Sequence, residues 1–191
     1  MEKSLQTMEE ARASIPESTR ARLEKVFEIA IVGKGSPDRK VYFDKPNDNL
    51  KAEVNKILGK DVNIDNQVIT LGYIRHINNR HGIKNPKLGK NEIPVTKELF
   101  ALIPDVLNNF NIVEKSNSKT SRGEDVVKIT RQYSDGTMTI VDAIIKKDQN
   151  SNNANLAIRT IYVDKSGGRA VAPNYSSIAQ KGVYGTNPVT Y

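Results

Sequence analysis

Two histidines are the side chains of this sequence best suited to moving protons near neutral pH. Among 191 residues, His76 and His81 are the only histidines, and both lie in the segment YIRHINNRHG at 73–82. Paired imidazoles suit phosphodiester cleavage, in which one takes the 2′-hydroxyl proton and another protonates the leaving oxygen. A guanidinium, here from Arg75 or Arg80, can bind the non-bridging phosphate oxygens in a bidentate manner.

The spacing of the two histidines limits how they can act together. Residues five apart lie about 140° apart around a straight helix, so His76 and His81 do not share a face. They converge only if His81 lies in a terminal turn that unwinds, which Gly82 permits as a left-handed C-terminal residue. Arg80 shares a face with His76 because four residues separate them. An ordinary structural role also explains the pattern, with His81 near the C-terminal end of the helix dipole.

Composition excludes several kinds of chemistry and favours a polyanionic partner. The chain has no cysteine, which excludes disulfides, thiolate metal sites and thiol catalysis. Two histidines without a nearby acidic cluster do not complete a zinc, magnesium or calcium shell, so we expect no cofactor and no metal. The net charge of +7 favours nucleic acid, although a simply soluble basic protein fits as well.

The apolar segments predict neither a membrane span nor an export signal. The longest apolar runs are far shorter than the roughly 20 residues that cross a bilayer. Residues 1–14 lack the apolar core of a signal peptide. We therefore expect no membrane partner and no secretion by the general route.

Hydrophobic periodicity changes from helical to alternating after Phe110. The pattern predicts four helical segments, with a break at Pro104 in the last: 1–30, 49–58, 65–81 and 96–108. It predicts a short strand and then four longer ones: 41–43, 112–116, 125–133, 138–147 and 156–165. We expect an α+β fold in which N-terminal helices pack on one face of a four-stranded or slightly larger antiparallel sheet.

The same pattern suggests three parts of the chain. Residues 1–60 form an N-terminal helical or linker extension, and residues 61–165 form the main domain. Residues 166–191 are rich in Gly, Pro, Ser and Asn and form a tail or a loop.

Polar side chains interrupt the apolar pattern of the predicted strands. Strict alternation places Thr160 and Tyr162 on one face of the last strand and Arg159 on the other. In the second long strand it places Lys128 and Arg131 on opposite faces. A sheet face with Lys, Arg, Thr and Tyr can bind phosphate and stack bases, and ordinary half-exposed strand residues would give the same pattern.

Four short segments give the sequence a resemblance to a known superfamily. They are HINNRHG at 76–82, IPVTKE at 93–98, LIPDVL at 102–107 and AIRTIY at 157–162. Their order resembles the phage-associated nuclease domains of the barnase–EndoU–colicin–RelE superfamily, over about residues 64–165. The resemblance implies helices on an antiparallel sheet of barnase or RelE type, with a metal-independent ribonuclease site on that sheet.

The resemblance also implies roles for particular residues. His76, Arg80 and His81 match an H-x-x-x-R-H segment, and Thr160 with Tyr162 matches a terminal T-x-Y motif. The implied catalytic residues are His76, His81, Thr160 and Tyr162. The substrate-binding candidates, to which the strand pattern contributes, are Arg75, Arg80, Lys128, Arg131 and Arg159. No glutamate clearly matches a barnase-like general base, since Glu124 lies at the start of a strand.

Together, these features predict a metal-independent endoribonuclease, a toxin-like domain of a phage or mobile-element protein. It would act on RNA in a bacterial cytoplasm, either delivered there or virion-associated, and leave a cyclic phosphate. The resemblance implies further partners of two kinds, an immunity or antitoxin protein and a phage-head or toxin-delivery component. Two alternatives stay open: a non-catalytic nucleic-acid-binding or virion structural module on the same fold, and an acyl or nucleotidyl transferase.

Overall fold

The computed structural model describes residues 5–148 and 150–165, which form an α+β fold. The helices are α1 (Met8–Ala13), α2 (Glu17–Ile31), α3 (Asp48–Leu58), α4 (Leu71–His81), α5 (Lys97–Phe100) and α6 (Ile103–Asn108). The strands are β1 (Lys40–Tyr42), β2 (Asn63–Thr70), β3 (Glu92–Ile93), β4 (Ile112–Lys115), β5 (Val126–Tyr133), β6 (Gly136–Lys146) and β7 (Asn153–Lys165). The predicted tail at 166–191 lies outside the described residues.

All the described strands belong to one seven-stranded sheet, which is larger than predicted. The order is β1-β2-β7-β6-β5-β4, and β3 pairs with β7. The pairs β4–β5, β5–β6 and β6–β7 are antiparallel, which confirms the predicted sequential arrangement in this part of the chain. However, β2 lies parallel to β7, so the complete sheet is mixed rather than antiparallel.

The predicted helix over residues 65–81 is wrong in its first third. Residues up to Thr70 continue β2, which pairs with both β1 and β7, and α4 begins only at Leu71. Pairing on both sides of β2 outweighs a weak helical preference. The oxygen of the Thr70 side chain accepts a hydrogen bond from the Tyr73 amide and caps α4.

The C-terminal end of α4 also differs from its prediction. Gly82 has φ −88° and ψ 172°, so it is extended and not left-handed. A Cβ at this position would collide with the carbonyl oxygen of Asn78. Glycine therefore serves here to let the chain pass close to the last turn of the helix.

Two other helix predictions are confirmed in detail. In α3 the Asn47 side chain accepts a hydrogen bond from the Leu50 amide, and Gly59 ends the helix at φ 63°. The segment expected to break at Pro104 divides into α5 and α6, with Pro104 in the first turn of α6.

One hydrophobic cluster joins the helices to one face of the sheet. Every helix contributes buried side chains to it, including Leu23 of α2, Leu50 of α3 and Ile74 of α4. Residues 5–60, the predicted extension, therefore pack in the same core as the main domain. In the described part of the chain, no helix is long and apolar enough to span a membrane.

A β-bulge in β7 changes which side chains face this core. In the pairing of β6 with β7, Val141 lies opposite Thr160 and Asp142 lies opposite Ile158, so Arg159 is an extra residue. The core side chains of β7 are Ala154, Leu156 and Ile158 before the bulge, and Ile161 and Val163 after it. The expected alternation across Arg159 is therefore wrong, because Arg159, Thr160 and Tyr162 all lie on the face opposite the core.

Two buried polar side chains form a pair on the core side of the sheet. Nε2 of Gln67 donates a hydrogen bond of 2.7 Å to Oδ1 of Asp142, and both residues are fully buried. Burial raises the pKa of Asp142 to about 7, against the opposing effects of the Gln67 hydrogen bond and the Arg159 charge. The protonated carboxyl can donate to Oε1 of Gln67, which has no other partner among the described residues.

Replacing this carboxyl by an amide should remove one source of pH-dependent stability. Because the pKa of Asp142 is higher in the folded chain than in the unfolded one, its contribution to stability falls as pH rises from about 4 to about 7. We compare the free energy of unfolding of Asp142→Asn with that of the parent, both measured with urea. As pH rises from 5 to 8, we expect the difference to shift in favour of the variant by on the order of 1–3 kcal/mol. Asp38→Asn, which removes an exposed carboxylate, should show no such gain. If the stability of Asp142→Asn and that of the parent change with pH in parallel, the raised pKa of Asp142 is contradicted.

Candidate functional site

The sheet face opposite the hydrophobic core, here called the polar face, carries a row of hydroxyl groups. Thr130, Thr139 and Tyr162 lie directly opposite one another on β5, β6 and β7. The Oγ1 atoms of Thr130 and Thr139 are 3.1 Å apart and hydrogen-bonded. Lys128 and Thr160 lie in the next row, separated by one residue of β6. The pairing thus brings three strands' polar side chains onto one surface.

The bulge residue Arg159, which directly precedes Thr160 on β7, supplies a positive charge on the same face. Its guanidinium donates a hydrogen bond to the Tyr73 hydroxyl of α4 and lies with Cζ 4.7 Å from the Tyr73 ring centroid. A second nitrogen lies 3.4 Å from Oε2 of Glu124, which in turn accepts a 2.6 Å hydrogen bond from Thr120. Arg159 is therefore held between α4 and the segment before β5, with further N–H groups left to donate.

Thr160 adds a buried hydroxyl beside this cation. Its side chain is only 5% exposed, and Oγ1 has no hydrogen-bond partner among the described residues. A buried hydroxyl without a partner is unusual in folded proteins. No described residue therefore uses the hydrogen-bonding capacity of this buried hydroxyl.

His81 at the end of α4 lies against Tyr162 and a carboxylate. The His81 and Tyr162 ring centroids are 6.2 Å apart, and Nδ1 of His81 is 3.3 Å from Oε1 of Glu92. The amide of Gly89 donates a 2.9 Å hydrogen bond to the other Glu92 oxygen. The amide of Val95, two residues after β3, donates a 2.6 Å hydrogen bond to the His81 carbonyl and fixes this segment to the end of α4.

The surroundings of His81 favour its neutral form. Burial has the largest effect and lowers its pKa, while the charge of Glu92 opposes that effect and the charge of Arg80 adds to it. The net shift takes the pKa below the usual histidine value of about 6.5. At pH 7 the imidazole is therefore mainly neutral and able to accept a proton.

His76 lies on the same helix but next to a different ring. Its imidazole meets Tyr73 edge-on, with ring centroids 6.5 Å apart. Burial lowers the pKa of His76, and the charges of Arg80 and His81 lower it further. The two histidines and Arg80 are thus within electrostatic range of one another, although five residues separate the imidazoles along the chain.

Two of the predicted substrate-binding arginines lie away from the polar face. Arg75 donates hydrogen bonds of 2.8–3.0 Å to the carbonyls of Ala30 and of residues 34–35, and so fixes the end of α2. Arg131 lies on the core side of β5, with Nε 3.6 Å from Oδ2 of Asp105. The structure does not bring either cation to the groups around Arg159 and Tyr162.

Three side chains near the polar face had no assigned role in the sequence prediction. Tyr73 lies three residues before His76, so helical spacing could have connected the two. Glu124 was noted only as the start of a strand, whereas it forms an ion pair with Arg159. Glu92 gave no local signal, because its approach to His81 depends on the pairing of β3 with β7.

A family model described as phage-Barnase-EndoU-ColicinE5/D-RelE like nuclease3 matches residues 44–168. The match includes α4, β3 and all of β4 to β7, and therefore every residue placed above on the polar face or beside it. It confirms the resemblance found in the sequence and extends it towards the N-terminus. Neither a search of curated proteins nor a search of solved structures found a match.

The pairing of His81 with Glu92 can be tested by a titration that does not depend on activity. We expect the His81 imidazole, followed by NMR, to titrate below the usual value of about 6.5. Glu92→Gln should lower the pKa of His81 further, because the nearby negative charge favours the protonated imidazole. The remote variant Glu17→Gln should leave it unchanged, and an unchanged or raised pKa in Glu92→Gln would show that the carboxylate does not act on His81.

Proposed function

The chain belongs to the phage-Barnase-EndoU-ColicinE5/D-RelE-like nuclease 3 family, and on that premise we propose that it is a metal-independent endoribonuclease. The observation that supports this proposal is the contact of His81 with Tyr162, with Arg159 held on the same face of β7 three residues before Tyr162. An imidazole can act as the base, a phenol as the acid and a guanidinium as the positive charge that stabilises the transition state of phosphodiester cleavage.

The proposed reaction is attack of the RNA 2′-oxygen on the adjacent phosphorus. Neutral His81 accepts the 2′-hydroxyl proton while the new P–O2′ bond forms, which its lowered pKa favours at pH 7. The P–O5′ bond breaks, and the Tyr162 hydroxyl donates its proton to the leaving oxygen. The products are a 2′,3′-cyclic phosphate and a 5′-hydroxyl, and the two side chains recover their starting forms by exchange with water.

Arg159 is proposed to stabilise the negative charge that develops on the phosphoryl oxygens. Its contacts with Tyr73 and Glu124 hold the guanidinium in place before the substrate arrives. A charge that needs no reorientation stabilises a transition state more effectively than a mobile one. Thr160, whose hydroxyl lacks a partner among the described residues, is proposed to hydrogen-bond the same phosphate.

His76, Arg80 and Lys128 are proposed to serve the flanking parts of the substrate. Arg80 is exposed, and its positive charge helps to lower the pKa of both histidines. Lys128 lies one row from Tyr162 on the polar face. Both cations can attract the neighbouring phosphates, and the His76 ring beside Tyr73 can contact a base.

The wider biological role is proposed from the family description, which names phage and colicin nucleases. A toxin-like enzyme of this kind would act on RNA in a bacterial cytoplasm. An immunity protein would block it most directly by covering His81 and Tyr162. Delivery within a virion or a toxin is compatible with the same site.

The assignment of His81 as the base predicts a large loss of activity in one variant. Positioned proton transfer contributes about 10²–10⁴-fold to a rate, so His81→Ala should lower kcat/KM on an RNA oligonucleotide by that factor. His76→Ala on the same helix is the matched control and should have a smaller effect, because its ring contacts Tyr73 rather than Tyr162. Circular dichroism should show the same fold in both variants.

If both histidine variants cleave RNA as fast as the parent, the catalytic assignment is wrong. The non-catalytic nucleic-acid-binding module on the same fold then becomes the better interpretation. Binding of RNA by the parent without any cleavage would favour that alternative as well.

The proposed chemistry also predicts independence from metal and dependence on the 2′-hydroxyl. Among residues 5–148 and 150–165, no group of three or more His, Asp or Glu side chains is placed to hold a metal ion. We expect cleavage to continue in excess EDTA and to stop when the scissile nucleotide carries a 2′-deoxy substitution. Mass spectrometry should find a cyclic phosphate, whereas loss of activity in EDTA with recovery on adding one divalent ion would contradict the mechanism.

A further inference from the structure

Glu92 of β3 lies on the same face of the sheet as Tyr162. In the antiparallel pairing of β3 with β7, Glu92 lies opposite Asp164 and Ile93 lies opposite Val163. Val163 belongs to the hydrophobic core and Ile93 packs against it. Because side chains alternate along a strand and opposite residues share a face, Glu92 and Asp164 point to the polar face. Tyr162, two residues before Asp164 on β7, points to that face as well.

The backbone around β3 holds the Glu92 carboxylate in a defined position. Oε2 accepts a 2.9 Å hydrogen bond from the Gly89 amide, and the Glu92 amide donates a 3.0 Å hydrogen bond to the Gly89 carbonyl. The other carboxylate oxygen, Oε1, faces Nδ1 of His81 at 3.3 Å. One oxygen therefore anchors the side chain to its own loop, and the other is presented to the imidazole.

This contact determines which nitrogen of His81 carries the proton in the neutral imidazole. A carboxylate only accepts hydrogen bonds, so it favours the form with the proton on Nδ1 and leaves Nε2 able to accept another. Nδ1 is buried, and its N–H does not point at the oxygen closely enough to form a hydrogen bond of good geometry. Catalytic hydrogen bonds are often poorly aligned before the substrate binds and tighten afterwards.

Glu92 has the strongest influence of the charges around this imidazole. The titratable and charged groups near the His81 ring come from three elements: Glu92 of β3, Tyr162 and Asp164 of β7, and His76 and Arg80 of α4. The charge of Glu92 raises the pKa of His81, and the charges of Arg80, which lowers it, and of Asp164, which raises it, have smaller effects. Glu92 is therefore the group best placed to control both the proton and the orientation of His81.

We propose that Glu92 is a positioning residue that keeps the proton of neutral His81 on Nδ1 and directs Nε2 at the RNA 2′-hydroxyl. This role rests on the proposed function, since it adds a residue to that same site. Glu92 touches no reacting atom and acts through His81. When Nε2 takes the 2′-hydroxyl proton, the imidazole becomes a cation with a proton on each nitrogen, and the adjacent carboxylate stabilises that charge.

The first test observes the proton of His81 directly and needs no activity. In the protein with isotope-labelled histidine, at a pH above the pKa of His81, the NMR chemical shifts of the ring nitrogens should assign the proton to Nδ1. Glu92→Met keeps an unbranched side chain without an acceptor and should move the proton towards Nε2. Asp164→Asn is the matched control, because it removes a carboxylate from the same face, and it should leave the proton on Nδ1.

Two results of this test would overturn the proposal. One is a parent protein in which neutral His81 carries its proton on Nε2, and this result is decisive even if Glu92→Met does not fold. The other is a folded Glu92→Met in which the proton stays on Nδ1.

The second test is a double-mutant cycle on cleavage of an RNA oligonucleotide. Glu92→Met should lower kcat by at least about 10-fold, with little change in KM and by no more than His81→Ala does. In the His81→Ala background the same change should have no further effect, because Glu92 acts through His81. Additive losses would show that Glu92 acts independently of His81 and would overturn the proposal.

The pH dependence of kcat/KM separates positioning from a purely structural role. Activity should rise with pH as His81 loses its proton, and this acidic limb should move to lower pH in Glu92→Met, because the carboxylate raises the pKa of His81. An unchanged limb with parent activity would mean that Glu92 only joins β3 to α4, while the enzyme proposal stands. If the parent cleaves no RNA but the proton moves as expected, the proposed function is wrong and the control of His81 by Glu92 stands.

Discussion

One extra residue in β7 determines what both faces of the sheet contain. Before Arg159 the core side chains of β7 end at Ile158, and after it they resume at Ile161. Strict alternation from Ile158 would place Thr160 and Tyr162 in the core and turn Ile161 towards the polar face. The bulge thus serves the packing and the candidate site at once, because it buries the apolar residues and gathers Arg159, Thr160 and Tyr162 on the other side.

The second constraint is the path of the chain as it leaves α4. Gly82 lets the backbone pass against Asn78, and β3 then returns to pair with the end of β7. A hydrogen bond from the Val95 amide to the His81 carbonyl fixes the chain after β3 to the end of α4. A short strand of two residues consequently places Glu92 beside His81, and its position depends on long-range pairing rather than on local preference.

The sequence predicts the parts of this structure that depend on local pattern. Antiparallel β4 to β7 follow from alternation and a tight turn, and the break at Pro104 follows from the chemistry of proline. By contrast, β2 has only weak alternation and forms because β1 and β7 enclose it. An alternating sequence pattern does not reveal the bulge at Arg159. The sequence therefore identifies Arg159, Thr160 and Tyr162 as candidates, but it places Arg159 on the face opposite to the other two.

The distribution of positive charge shows why composition alone gives little information about the site. Arg75 donates hydrogen bonds to three backbone carbonyls and Arg131 lies beside Asp105 on the core side, so both cations serve the fold. At the start of β5, three lysines share the single carboxylate of Asp125, on the side of the sheet that carries the core residues Val127 and Ile144. A net charge of +7 acquires functional meaning only where such a local excess stands beside groups able to bind a phosphate. In this fold Arg159 lies on the polar face with Thr160 and Tyr162, whereas the lysines at Asp125 lie towards the core side of the sheet.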